Sequence, residues 1–154
     1  MRKILTVGLL VENDMILLGM KKRGFGKGRW NGFGGKLHDG ESVEDAMKRE
    51  FYEECRVAVL ESQEAGRIDF EFPESGELLE VHFYRILRYS GTAVETEEMR
   101  PQWFRLDEIP YEQMWPDDRH WMPFFLERRR FGGSIAFDAN DNIIRNDIRE
   151  TPEA

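Results

Sequence analysis

A single cysteine, Cys55, stands among 154 residues, so no disulfide closes within the chain and a reducing compartment suits it. No run of about eighteen apolar residues occurs, which leaves no candidate membrane helix. The stretch Met1-Arg2-Lys3-Ile4-Leu5 lacks the apolar core and cleavage site of a secretory signal, so the expected location is the cytoplasm. Basic residues are in deficit: 22 Lys and Arg against 30 Asp and Glu give a net charge of −8. Such a surface argues against nucleic-acid partners, because phosphate neutralisation needs excess Lys and Arg. Repeats, low-complexity tracts and linkers are also missing, so one domain is expected over residues 1–154, with a monomer as the expected state. Apolar residues make up 40% and charged residues 34%, an ordinary globular balance able to bury roughly two-thirds of the unfolded surface.

What is present is concentrated between Gly35 and Val57, where the chain reads GKLHDGESVEDAMKREFYEECRV. Asp39-Gly40 is a turn dipeptide, and Ser42 followed by Asp45 fits a capping box, so a helix starts there. Val43, Met47, Phe51 and Cys55, four apart, give it an apolar stripe, which makes Cys55 a buried small hydrophobe and a poor nucleophile. Glu50, Glu53 and Glu54 project within an arc of about 100° beside that stripe. Three carboxylates so close repel one another. Two readings remain open on spacing alone: a site for a hard divalent cation, or a solvated acidic face. Upstream, the glycine-rich turn Gly32-Phe33-Gly34-Gly35-Lys36 leaves backbone that a metal or a phosphate can approach. Lys21, Lys22, Arg23, Lys27, Arg29 and Lys36 form a positive patch without an intervening acid. Lys21 and Lys36 are the candidates for holding a polyphosphate, whereas Lys22 and Lys27 read as solvated.

Gly35, Glu41, Arg49, Glu50, Glu53 and Glu54 stand at the spacings of the Nudix hydrolase box, and the chain resembles that family. Arg56 departs from the pattern, because the box has Gly there. An αL residue that is not Gly costs about 1–2 kcal/mol, so a small stability loss or a shifted helix end is expected at Arg56, with the chemistry untouched.

The remaining elements read as strands and one late helix. Leu5 to Val11 and Met15 to Met20 form a hairpin around Glu12-Asn13-Asp14; Arg67 to Phe72 and Leu78 to Leu87 form another. Trp103 to Leu106 is a short strand. A second helix starts near Asp117-Asp118, carries Trp121, Phe124, Phe125 and Leu126, and ends in Arg128-Arg129-Arg130. Ser134 to Phe137 and Asn142 to Arg145 make a terminal hairpin around Asn140-Asp141, and the tail Thr151 to Ala154 is expected to fray. The fold class is therefore α+β, a mixed β-sheet with a catalytic helix and a C-terminal helix. The Nudix resemblance implies an α/β/α sandwich.

The likeness extends beyond the box through Gly19 to Gly26, Gly28 to Lys36, Phe70-Glu71-Phe72, Glu98 to Pro101 and Met114 to Asp118. These stretches resemble the branch of the family that hydrolyses oxidised purine nucleoside triphosphates. Leu79 stands where that branch has Met. The resemblance implies Mg2+-dependent hydrolysis, with Mn2+ as a substitute, of small-molecule nucleotides such as 8-oxo-dGTP, 2-hydroxy-dATP and O6-methyl-dGTP. It places metal on Glu50, Glu53, Glu54, Glu98 and the Gly34 carbonyl. It places the nucleotide against Thr6, Lys21, Asn31, Phe33, Gly34, Gly35, Lys36, Trp115, Pro116, Asp117 and Asp118.

Residue chemistry adds to this. Phe25, Phe70, Phe72, Met99 and Trp115 offer aromatic and thioether faces to a planar base, although ordinary core packing explains such residues equally well. Asn31 carries both a donor and an acceptor for a base edge. Asp117 and Asp118, adjacent in a partly apolar setting, should titrate apart, one protonated and one ionised; alternatively one of them caps the second helix. Arg49 orients a box glutamate, and Glu53 or Glu54 acts as base. Two other functions stay open: a Nudix hydrolase of another nucleotide, such as ADP-ribose or a dinucleotide, and a silent nucleotide-binding module.

Overall fold

The computed structural model describes residues 2–152. The chain opens with β1 (Arg2–Glu12) and β2 (Met15–Lys21), joined through Asn13 and Asp14, both left-handed at φ 53° and 61°, as a two-residue hairpin turn requires. Then come β3 (Trp30–Asn31), β4 (Phe33–Lys36) and the helix α1 (Val43–Cys55). The strands β5 (Ala58–Phe72), β6 (Glu77–Ser90) and β7 (Met99–Arg105) follow, then α2 (Asp118–Leu126), β8 (Phe131–Phe137) and β9 (Ile143–Glu150). The strands run in the order β3-β2-β1-β6-β5-β8-β9, with β4 also on β1 and β7 also on β2. The pairs β1/β6 and β5/β8 are parallel and the others antiparallel, so the sheet is mixed.

Alternation along β1 and β6 separates two cores. Leu9, Val81 and Phe83 face α2 and pack with Trp121, Met122, Phe125 and Phe131. Leu10 and Ile86 face α1 and pack with Phe33, Met47, Phe51 and Cys55. Phe33 and Phe51 lie 4.6 Å apart and are fully buried, each burial stabilising by about 2–3 kcal/mol. The helices therefore cover opposite faces of the sheet, as a sandwich demands. Cys55 is buried, and desolvation pushes its thiol up to about 12, which excludes it as a nucleophile at neutral pH.

Several boundaries differ from expectation. The glycine-rich turn is strand β4, paired with β1 from Leu5↔Lys36 to Gly8↔Phe33. Any side chain at Gly34 would place its Cβ 1.7 Å from the Thr6 carbonyl oxygen, so this strand can pass only with glycine. Strand β5 starts nine residues earlier than Arg67, since register shifts at Val59/Glu61, Glu61/Ser62 and Glu64/Gly66 break its alternation. Strand β7 begins at Met99 and contains Pro101, tolerated because only β2 pairs with it. Helix α2 ends at Leu126, before the three arginines, because Arg128 turns left-handed at φ 60°. A cation still serves its C-terminus: buried Arg85 of β6 donates to the Phe125 carbonyl and stacks 4.0 Å from the Phe125 ring. Fraying is not seen at Thr151, whose N–H donates to the Arg130 carbonyl at 2.9 Å; residues 153 and 154 of that tail lie outside the described residues.

Candidate active site

Ser42 caps α1 as its spacing predicts, its hydroxyl accepting from the Asp45 N–H at 3.1 Å. The helix then lays its acidic side against β4. Glu54 is 2% exposed, and its carboxylate accepts the Gly34 N–H at 3.0 Å. Glu50 rests on Gly35, where a Cβ would come within 2.8 Å of its carboxyl group. Glu98, from the segment ahead of β7, completes a group of three carboxylates whose ligand atoms all lie within 4.8 Å of one another. Burial pushes Glu54 up to about 8, while nearby Lys21 pulls the other way and Glu50 adds to the rise. Glu50 is raised too, chiefly by burial. Three acids this close, one of them buried, repel unless a proton or a cation offsets their charge, and an all-oxygen donor set of this kind fits a hard divalent cation.

Arg49 organises the group from outside. Its guanidinium donates to Glu41 at 2.7 and 2.9 Å, to Glu50 at 2.7 Å, and to the Lys36 carbonyl at 3.1 Å. The bidentate pair holds Glu41 down at about 2. Glu53 is not brought into the group: its carboxylate is half-exposed and turns to Arg49 at 3.3 Å. Among the described residues, the third acidic partner of Glu50 and Glu54 is Glu98, forty-four residues beyond Glu54 in the chain.

One cavity of about 550 Å³ joins this group to a second, drier end. Lys21, Gly34, Gly35, Lys36, Thr6 and Asn31 line the passage, with Arg23 ion-paired to Glu98 at 3.6 Å. The Thr6 hydroxyl is fully buried and without a hydrogen-bond partner among the described residues. At the far end stand Phe25, Phe70, Met99, Trp115, Asp117 and Asp118. Asp117 occupies the N-cap position of α2 but makes no capping bond; its carboxylate accepts the Trp121 indole N–H at 2.8 Å. Asp118 is buried against Asp117, and desolvation together with that neighbouring charge drives its pKa well above the usual carboxylate range. Burial raises Asp117 too, with the indole N–H of Trp121 opposing the rise, so Asp118 is the member of the pair pushed up further.

Two expected wall residues lie elsewhere. Phe33 points into the α1 core, since β4 puts alternate side chains on opposite faces, and Pro116 is not part of the lining. Other residues take their places: Phe83, Phe137 and Trp121 line the cavity without having been singled out. Phe83 follows Leu79 and Val81 at period two on β6, and Trp121 follows Asp117 by one helical turn, so both signals were in the spacing.

The sequence profile of the NUDIX domain matches residues 2–125. The oxidized purine nucleoside triphosphate hydrolase of Mus musculus is 47% identical over 148 residues, covering 96% of this chain and 95% of that protein. Its counterpart of the same name from Danio rerio is 46% identical over 151 residues, covering 98% and 97%. Among solved structures, the mutator MutT protein of Bacillus halodurans superposes with a TM-score of 0.84 at 23% identity, covering 99% of each chain, a likeness of fold. A profile that spans more than half of the sequence, together with relatives 46–47% identical over nearly the whole chain, makes this chain a member of the Nudix hydrolase family.

Proposed function

We propose that the protein hydrolyses oxidised or modified purine nucleoside triphosphates, 8-oxo-dGTP and 2-hydroxy-dATP foremost and O6-methyl-dGTP with them, to the monophosphate and pyrophosphate. In this role it would clear mutagenic precursors from the nucleotide pool as a monomeric, single-domain cytoplasmic enzyme. The observation that carries the reading is the shape of one cavity, with a carboxylate trio and Lys21 at one end and a buried Asp117/Asp118 pair among aromatic rings at the other. A polyphosphate suits the first end and a purine edge the second.

Glu50, Glu54 and Glu98 would hold Mg2+, with Mn2+ as a substitute, and Gly34 and Glu53 lie close by. When bound, such a cation polarises the attacking water and offsets phosphate charge. Lys21 and Lys36 neutralise the triphosphate from the passage. Arg49 keeps Glu50 oriented through its 2.7 Å bond. Of the two candidates for accepting the proton of water, Glu54 faces the cavity, while Glu53 is held outside by Arg49. At the base end, protonated Asp118 donates and ionised Asp117 accepts. Exchanging that proton would let one pair read an oxidised guanine or an oxidised adenine.

The test is Mg2+-dependent pyrophosphate release measured across 8-oxo-dGTP, 2-hydroxy-dATP, O6-methyl-dGTP, dGTP and ADP-ribose. Release from the oxidised purines well ahead of dGTP is expected. Preference for ADP-ribose, or binding without turnover, would overturn the proposal.

A further inference from the structure

Arg29 does not line the cavity, yet several groups at its base end meet on this residue. Its guanidinium carbon lies 4.0 Å from the centroid of the Trp115 ring. Its main-chain carbonyl accepts the side-chain N–H of Asn31 at 2.7 Å. The outer edge of the guanidinium pairs with Asp141 at 3.4 Å, in the turn between β8 and β9. Phe25 stacks on the same indole at 5.0 Å and 26°, so Trp115 is fixed by both an arginine and an aromatic ring.

Each contact removes a freedom that recognition cannot tolerate. An indole held only by its own Cβ can tilt, whereas a cation over the ring and a stacked Phe25 fix the plane and edge that it presents to the base end. An asparagine amide can rotate by half a turn and exchange donor for acceptor; the bond to the Arg29 carbonyl commits the Asn31 nitrogen and leaves its oxygen available. We infer that Arg29 is a positioning residue for base recognition, its guanidinium holding the Trp115 ring beside an Asn31 amide fixed by the main chain, while Asp141 of the C-terminal hairpin anchors it from outside. The inference rests on the proposed reading of this cavity as a purine site.

The test compares Arg29→Gln, Arg29→Lys and Asp141→Asn with the wild type in steady-state hydrolysis of 8-oxo-dGTP and dGTP, alongside thermal unfolding. Arg29→Gln should raise KM for 8-oxo-dGTP about tenfold while kcat stays within about twofold, narrowing the preference over dGTP. Arg29→Lys should recover part of the loss, because it keeps the charge without the planar stack. Asp141 sits at φ 62°, which Asn adopts readily, so Asp141→Asn cuts the anchor without straining the turn and should raise KM about threefold. Unchanged KM in both Arg29→Gln and Asp141→Asn, or a loss confined to kcat, would overturn the role of Arg29. Should Arg29→Gln fail to fold, Asp141→Asn decides alone. A wild type without preference for 8-oxo-dGTP over dGTP would instead overturn the purine assignment itself.

Discussion

Glu54 is nearly sealed from solvent and still carries an ionisable group, and that conflict makes it a sensor of the cation. Burial pushes its pKa up to about 8 in the folded chain, from the ordinary glutamate value of 4.5. The folded state then holds a proton that the unfolded state has released, so stability falls as pH climbs from 4.5 to about 8. Below pH 4.5 both states are protonated and the contribution is fully present. Metal-free protein should therefore melt lower at pH 8 than at pH 5, with part of that slope gone in Glu54→Gln. Mg2+ should raise the melting temperature more at pH 8 than at pH 5, because a large share of the Glu54 carboxyls has already lost its proton there. The same substitution should lower turnover by about 10²- to 10⁴-fold with nucleotide binding largely kept. Melting curves that slope equally in wild type and variant would show that the burial of Glu54 is relieved by something other than protonation.

At the scale of elements, the end of α1 shows how a departure from a family pattern is accommodated. Arg56 takes the left-handed conformation that the Gly of the box would have taken, at φ 66° and ψ 19°. Its guanidinium turns back to the Tyr52 and Glu53 carbonyls at 3.4 Å and lies over the Tyr52 ring. Strain and capping oppose each other, so Arg56→Gly, expected from sequence alone to stabilise, should change stability by less than about 1 kcal/mol. Arg56→Ala keeps the strain and loses the cap; urea unfolding should place it below both the wild type and Arg56→Gly by about 1 kcal/mol. An Ala variant as stable as the Gly variant would remove the strain argument. The apolar stripe and cap of α1 were legible because both are local. Strand β4 was not, since what makes Gly34 a strand residue is the Thr6 backbone across the ladder, a contact that the spacing of neighbours does not carry.

For the whole molecule, β1 is the member that brings the site together. Its first half pairs with β4 and β6, and its last residues pair with β2, so the metal end and the base end share one strand as their floor. The architecture and the box helix could be read from the chain, because motif spacing and alternation survive folding unchanged, while most of the cavity wall came from the resemblance to the family. Three features could not be read from spacing. That Glu53 stands outside the group which Glu98 joins was hidden, because helical projection says nothing of which carboxylate an arginine captures. Trp121, a core residue of α2, was not foreseen as the partner of Asp117 through its indole N–H. Arg29 was one member of a basic stretch, and nothing in its spacing pointed to the Trp115 ring. No helix among the described residues is long and apolar enough to cross a membrane.

On the proposed reading, a divalent cation held by Glu50, Glu54 and Glu98 faces a triphosphate whose base lies against Asp117 and Asp118. The most direct measurement is an anomalous difference map from a crystal soaked with Mn2+ and 8-oxo-dGTP below the pH at which turnover is appreciable. The account predicts a manganese peak among those three carboxylates and the oxidised base at the aspartate pair. A peak elsewhere, or a base resting outside the cavity, would contradict it.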